Sequence, residues 1–245
     1  WISEKPQLNL GLTYGNRFFN DKLGFMAAIS YQNSPAGSDN TEFEYDIDDD
    51  GKVVLTDAEV RQYYVTRERQ SYSLSLDYVF NPNHKVFFNG IYNRRNDWEN
   101  RYRTTLKDLD PDGNATVRIQ TKAGTPDNRN ARLERQRTMD FALGGEHLFG
   151  ALSMDWHASY AKASEERPNE RYIDFQLKKQ KFDMDLSDER QPFASPKTGS
   201  TMTLNDEFSL KELTEQQEDI KEQDLKFSAN FKLPFKNGNK LKFGA

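Results

Sequence analysis

Hydrophobic and polar residues alternate one for one along several stretches of this chain, most clearly from Met139 to Tyr160. There Met139, Phe141, Leu143 and Gly145 alternate with Asp140, Ala142, Gly144 and Glu146. After a break at Leu148, Phe149 and Gly150, the residues Leu152, Met154, Trp156, Ala158 and Tyr160 alternate with Ser153, Asp155, His157 and Ser159. Period two is the mark of a strand, because successive side chains of an extended backbone point to opposite faces. Two such runs on either side of a tight break predict an antiparallel hairpin. One face is apolar; the other is small and polar. That division suits a membrane-barrel strand with lipid on one side and an aqueous lumen on the other, and equally a half-buried strand of a soluble sheet.

The pattern recurs. A first hairpin joins Leu8, Leu10, Leu12 and Tyr14 to Leu23, Phe25, Ala27, Ile29 and Tyr31 through the turn Asn16 to Asp21. A second joins Tyr72, Leu74, Leu76, Tyr78 and Phe80 to Val86, Phe88, Gly90 and Tyr92 through Asn81, Pro82, Asn83 and His84, residues with strong turn chemistry. The Met139 to Tyr160 stretch is the third. A fourth begins with Leu225, Phe227, Ala229, Phe231 and Leu233 and turns at Lys236, Asn237, Gly238 and Asn239.

Polar stretches of no sustained apolar period separate the hairpins, from about Gln32 to Thr66, Asn93 to Arg137 and Lys162 to Asp224. Compact soluble domains rarely hold structureless connections beyond about 15 residues. Tight turns alternating with long polar connections are how an outer-membrane barrel is built. The expected fold is therefore all-β: a transmembrane antiparallel β-barrel segment, an up-and-down meander of about eight strands of a larger barrel with long extracellular loops. Arg67 to Phe80 and Arg132 to Leu148 exceed the roughly 9 to 11 residues needed to cross a bilayer, so these hairpins should project above it. Ser195 to Gly199 resembles a loop tip, and Leu210 to Ile220 a short helix or a strand extension.

Composition alone would point elsewhere. Only 35% of residues are hydrophobic and 30% are charged, with a mean hydropathy of -0.94, values that suit a soluble or partly disordered chain. Aromatics at 13%, with 17 Phe and 11 Tyr, argue against disorder and suit strands and aromatic girdles. A barrel with polar projections reconciles these figures. The absence of cysteine excludes a disulfide scaffold and a thiolate metal site. No apolar run approaches the ~20 residues of a membrane helix. A net charge of -5 argues against a nucleic-acid partner. Lys240 to Ala245 starts a new strand, so residues 1–245 are expected to be an excised, partial barrel domain.

Asp140 to Phe149 (DFALGGEHLF), Phe182 to Arg190 (FDMDLSDER) and Asp224 to Phe235 (DLKFSANFKLPF), continued by Leu241 to Ala245, resemble the barrel of TonB-dependent outer-membrane receptors of the Bacteroidetes type. The resemblance runs along essentially the whole chain through strand-and-turn patterns and carries no catalytic signature. It implies a 22-stranded barrel in the outer membrane of a Gram-negative bacterium, plugged by an N-terminal domain, taking up a scarce nutrient with energy delivered through TonB. This chain would be an early or middle part of the wall, without the plug or the C-terminal strands. The implied partners are outer-membrane lipid, the TonB complex acting through the plug, and an extracellular ligand (siderophore, vitamin, glycan or peptide). A surface lipoprotein is left open.

One loop has the spacing of a calcium site. Asp46, Asp48 and Asp50 stand at positions one, three and five, Gly51 at six, the Lys52 carbonyl at seven and Asp57 at twelve. Asp at twelve is shorter than the usual Glu, and no helix precedes the loop. The two readings are a structural Ca²⁺ and an acidic, solvated tip. Asp108, Asp110 and Asp112 begin a similar run, but Ile119 falls where the closing carboxylate belongs, so a turn is expected there.

No other chemistry stands out. His84, His147 and His157 have no second ligand at metal-binding spacing in sequence, and Asp155 with His157 lacks a nucleophile beside it. No catalysis and no obligatory cofactor are expected. Arg94, Arg95, Arg101, Arg103, Arg132, Arg135 and Arg137 gather with Trp98 and Tyr102 at the tops of the central strands. They read either as a site for an anionic or sugar ligand or lipopolysaccharide phosphate, or as cross-strand charge ladders with Asp97, Glu99 and Glu134. The ladders are the simpler reading. Two other classes remain: a soluble β-rich binding or adhesion module with a calcium-stabilised loop, and an enzyme with its site in the long loops.

Overall fold

The computed structural model describes residues 6–188, 190–197, 208–235 and 238–245. It is all-β and antiparallel. In chain order the strands are β1 (Leu8–Phe18), β2 (Leu23–Ile47), β3 (Val53–Asn81), β4 (His84–Lys107), β5 (Asn114–Ala123), β6 (Arg132–Phe149), β7 (Leu152–Asp185), β8 (Phe193–Pro196), β9 (Ser209–Pro234) and β10 (Lys240–Gly244). Each pairs with its chain neighbour, except where β5 and β6 share one place. β6 lies between the lower halves of β4 and β7, and β5 lies between their upper halves. With the short β8 set aside on β7, the other nine strands fill the eight positions of an up-and-down meander.

The hairpins pair where the alternation predicts. Tyr14 faces Ala27, Leu76 faces Phe88, Phe141 faces Tyr160 and Phe231 faces Phe243. The turns at this lower end are tight: Asn83 N–H donates to the Asn81 side chain at 2.9 Å, and Phe235 N–H to the Asn239 carbonyl at 2.7 Å. Lys236 and Asn237 of the fourth turn lie outside the described residues, as do Thr198 and Gly199 of the expected loop tip.

The polar stretches differ from expectation. They are not loops but continuations of the strands, so β3 has 29 residues and β7 has 34. At about 3.3 Å per residue β7 is roughly 110 Å long, several times the thickness of a bilayer core. Leu210 to Ile220 belongs to β9 as a strand extension. Extended backbone persists through these polar stretches because cross-strand ion pairs replace apolar pairs in the ladder, Arg67 with Asp97 at 2.6 Å and Arg95 with Glu134 at 2.6 Å among them.

Register places the apolar residues of the lower half on one face. Side chains directly opposite across a pair share a face, so rows can be followed from strand to strand. Tyr14, Ala27, Leu74, Gly90, Phe141, Tyr160 and Leu225 form one row; Phe25, Leu76, Phe88, Leu143, Ala158 and Phe227 form the next. The other face carries mainly Ser, Thr, Asp, Asn and His, with Met26, Phe87 and Ile91 among them. Nothing in the described chain packs on the apolar face: Leu225 is 81% and Leu12 70% exposed, and Leu74, Leu76, Leu152, Met154 and Trp156 are all short of buried.

The buried apolar cluster lies instead at the upper tips, where Leu55, Leu109, Ala115, Val117, Leu177 and Phe182 pack together. β5 exists as a separate strand because the chain breaks its extended run at residues 124–131. A 3₁₀ turn, Pro126–Asn128, fills that gap, ending on Arg129 in the left-handed region. β7 accommodates the step with a bulge between Arg167 and Glu170, where Asn169 has φ 56°.

Candidate functional site

The polar face is the side with chemistry. On its lower half, Arg17 of β1 reaches across β2 to Asp77 of β3 at 2.9 Å. Gly24 makes this possible: a Cβ there would stand 2.0 Å from the Asp77 carboxylate. Asp155 accepts a hydrogen bond from Asn230 Nδ2 at 2.7 Å, so its carboxylate is directed to β9. His157 faces Gly144 and Ser228. The two residues are neighbours on one face, as the alternation requires, and the structure brings no nucleophile between them.

Above the apolar band the same face holds a hollow of about 320 Å³, lined by Gln32, Arg69, Ser71, Asn93, Arg95 and Thr138 among others. Ser71 Oγ donates to Asn93 at 2.6 Å and Arg69 donates to Gln32 at 3.1 Å. Amides, hydroxyls and guanidinium groups suit a polar, hydrogen-bonding ligand.

Higher still lies a charge network centred on Arg132. Its guanidinium contacts Glu134 at 2.6 Å, Glu170 at 3.1 Å and Glu99 at 3.6 Å, and Lys122 contacts Glu99 at 3.1 Å and Glu170 at 3.5 Å. The side chains of Arg132, Glu134 and Glu170 are 10%, 11% and 4% exposed. Burial alone would raise the Glu134 carboxyl, but Arg132, Arg95 and Arg167 outweigh it and hold the group below the usual range. Glu170 is likewise lowered against its burial, by the Tyr172 hydroxyl, Arg132 and Lys122. Tyr172 is pushed up to about 12, first by burial and then by donating its hydroxyl proton to the Glu170 carboxylate.

The arginine cluster seen in sequence divides by face. Arg95 and Arg132 join the network on the polar face and pair with the expected partners Asp97, Glu99 and Glu134; on the same face Arg103 pairs with Glu59 at 3.4 Å and Arg101 donates to the Gln120 side chain. Arg94, Arg135 and Arg137 stand on the opposite face. Trp98 is capped by the Arg129 guanidinium, 3.8 Å from the ring centre.

The Asp46 to Asp57 stretch is the tip of the β2–β3 hairpin. Asp48 Oδ1 accepts from the backbone N–H of Asp50 at 3.0 Å and of Lys52 at 2.8 Å, and the Lys52 carbonyl accepts from Asp48 N–H at 2.9 Å. Asp46 accepts from the N–H of Ile47. Asp57 stands four residues down β3 from Val53, about 13 Å along the strand, and accepts from Lys107 Nζ and from Asp108 N–H, both at 2.9 Å. The sequence-spaced carboxylates are thus divided between a turn and a strand, and no grouping of three or more metal-ligating side chains occurs among the described residues. In the second tip Asp110 accepts from Asn114, an acid-capped turn as expected.

Sequence spacing missed one constellation. His84 and His147 are directly opposed on β4 and β6, with Nδ1 to Nδ1 at 3.2 Å. Trp156 donates its indole N–H to His147 Nε2 at 3.1 Å. An indole can only donate; Nε2 of His147 is therefore unprotonated, its proton sits on Nδ1, and that proton is given to Nδ1 of His84. The two histidines are 63 residues apart, and only the strand register shows that they meet. This chain of three lies on the apolar face at the lower turns.

Compared with protein-family models, with curated proteins and with solved structures, the chain matches none.

Proposed function

We propose that the chain is part of the wall of an outer-membrane β-barrel, its apolar face against lipid and its polar face lining a lumen. The observation that supports this reading best is the continuous band of exposed and half-buried Leu, Ile, Phe, Tyr and Trp that register draws across all eight positions of the meander on one face. From Tyr72 to Phe80 the band spans nine residues, about the length of a membrane-crossing β-strand. Tyr31, Tyr72, Tyr92 and Tyr160 border it above, and Phe18, Phe80, Phe149 and Trp156 below, as aromatic girdles do. A soluble β-rich module would need a second layer on these side chains; so large an apolar surface is costly in water.

Within that reading the function is that of a receptor and transporter: a TonB-dependent barrel taking up a scarce nutrient, with the tall hairpins and the polar face meeting the ligand. This reading includes no catalytic step and no requirement for calcium. The TonB-dependent assignment rests on the sequence resemblance and on the fit of an open meander to a large barrel.

Antibodies against this chain, used on fractionated source cells with boiled and unboiled samples, test the proposal. A band in the outer-membrane fraction, well above 28.5 kDa and shifting on heating, is the expected result. A soluble band of that mass, indifferent to heating, would overturn it. If the band is membrane-borne, loss of nutrient uptake on deletion of the source gene separates a transporter from a purely structural barrel.

A further inference from the structure

Three pairs of arginines face each other directly across strands: Arg61 and Arg103, Arg69 and Arg95, and Arg94 and Arg137. Like charges so placed destabilise a sheet unless something of opposite sign lies between them. In the first pair, Glu59 bridges both guanidinium groups. In the second, Arg95 is taken up by Glu134 and Asp97. The third, on the apolar-face side of the sheet, is different. Arg137 shares the single Glu166 carboxylate with Arg135, and Arg94 has only a 3.4 Å contact to the Asn96 amide.

The surroundings add positive charge. Lys162 lies on the same face one row down, opposite Met139, and among the described residues neither it nor Arg94 is within ion-pair distance of a carboxylate. The remaining charges that face this patch are already engaged: Lys221 with Asp219 at 2.8 Å, and Glu68 with Arg129 at 3.6 Å. Arg94, Arg135, Arg137 and Lys162 against Glu166 leave three positive charges in excess, four minus one. They stand directly above Tyr92, Met139 and Tyr160, at the upper border of the apolar band.

We propose that Arg94, Arg137 and Lys162 form a binding site for the phosphate of a lipid headgroup. The inference rests on the reading of this face as lipid-facing, and it names one partner there. Guanidinium groups offer forked donors that match phosphate oxygens. A phosphate between Arg94 and Arg137 relieves their repulsion, and its acyl chains descend over the Tyr and Leu rows beneath. A basic row immediately outside an aromatic border is where a membrane presents its phosphates.

The test uses the whole chain refolded into vesicles of phosphatidylcholine alone or doped with phosphatidic acid, with co-purified lipid read by native mass spectrometry. Wild type is expected to retain phosphatidic acid over phosphatidylcholine, and R94Q/R137Q to lose about thirtyfold of that preference. R69Q removes a cross-strand arginine from the other face and is expected to leave the lipid preference unchanged. Removing like-charge repulsion should leave the double variant at least as resistant to urea as wild type, so misfolding does not explain a loss. Insertion into both vesicles with no lipid preference would overturn the phosphate site and leave the membrane reading standing. Inorganic phosphate displacing the lipid completely at millimolar concentration would overturn the lipid as partner in favour of a free anion. Failure to insert into either vesicle would overturn the membrane reading and the site with it.

Discussion

The lower and upper halves of this sheet share one backbone ladder and oppose each other in every other respect. Below, Leu12, Ile29, Leu143, Leu225 and Phe227 are exposed by 47% to 81% and face nothing in the described chain. Above, charged side chains such as Glu170 and Asp97 are less than a tenth exposed, and a small apolar cluster closes the tips. A soluble sheet would do the reverse, burying leucines and wetting carboxylates. The inversion has a simple physical meaning: the upper half supplies its own interior by compensating charge within the sheet, whereas the lower half leaves its apolar face uncovered within the described chain, the face that the proposed membrane would cover. Substitutions that act in one half and not in the other are therefore the sharpest probes.

The largest effect is expected at Arg132. Arg132→Ala leaves Glu99, Glu134 and Glu170 buried without their common cation and should cost about 3–5 kcal/mol in urea unfolding followed by near-UV circular dichroism in micelles. Replacing all three partners of the Arg132, Glu134 and Glu170 cluster with leucine or methionine should recover most of it, because apolar isosteres avoid the desolvation cost. A loss below 1 kcal/mol would mean that water reaches the network and that the upper half has no true interior.

The same network sets a pH dependence. Glu134 and Glu170 are lowered in the fold, so the stability they contribute is fully present above their ordinary value of 4.5 and is lost as pH falls through the lowered ones. Tyr172 is raised to about 12; its contribution is present below 10 and is lost as pH rises through 12. The wild-type midpoint is expected to fall on acidification below pH 4.5, and the E134Q/E170Q variant to show a flatter acid limb. An identical acid limb in both would remove these carboxylates from the account.

Next in size is Leu76→Arg. In a bilayer a charge at mid-band costs about 2–4 kcal/mol, whereas near the border it costs about 0–1. Leu8, level with Asn33, Glu68 and Asn96 above the band, supplies the control: Leu8→Arg should be close to neutral. Equal costs at the two positions, measured by urea titration in vesicles, would deny the band a membrane.

How much of this was legible in the sequence depends on the half. Below, the alternation around Phe141 and Trp156 specified strands, faces, turns and pairing, because one medium touches each face and the pattern has to respect it. Above, Glu42, Arg61, Arg67 and Asp97 alternate in charge, not in hydropathy, so stretches that are extended strands looked like loops. The break between β5 and β6 has a local signal in Gly124, Pro126, Asp127 and Asn128, but the bulge near Asn169 that accommodates it lies in another strand. The division of the arginines was legible in principle: Arg94 and Arg95 must point to opposite faces. What they meet there depends on register with β6. The same holds for His84 and His147. The calcium-like spacing was legible in sequence; that Asp48 caps the turn while Asp57, further along β3, meets Lys107 is a matter of register with β4.

The smallest expected effect separates the two halves most directly by medium. His147→Phe keeps the ring and the volume but removes the acceptor for the Trp156 indole N–H. A donor orphaned in water finds a new partner at almost no cost; one orphaned in an apolar medium loses about 1–3 kcal/mol. Gly145→Ala reaches the same contact from the other side, since a Cβ there would stand 2.5 Å from Trp156 Nε1 and 2.7 Å from His147 Nε2, and the indole must swing away. Both variants should cost more in vesicles than in a short-chain detergent that leaves the lower border wet, and both should shift Trp156 emission, read against a W1F/W98F background, to the red. Equal costs in the two media would place Trp156 in water, and the lower border of the apolar band would then have to be drawn above it.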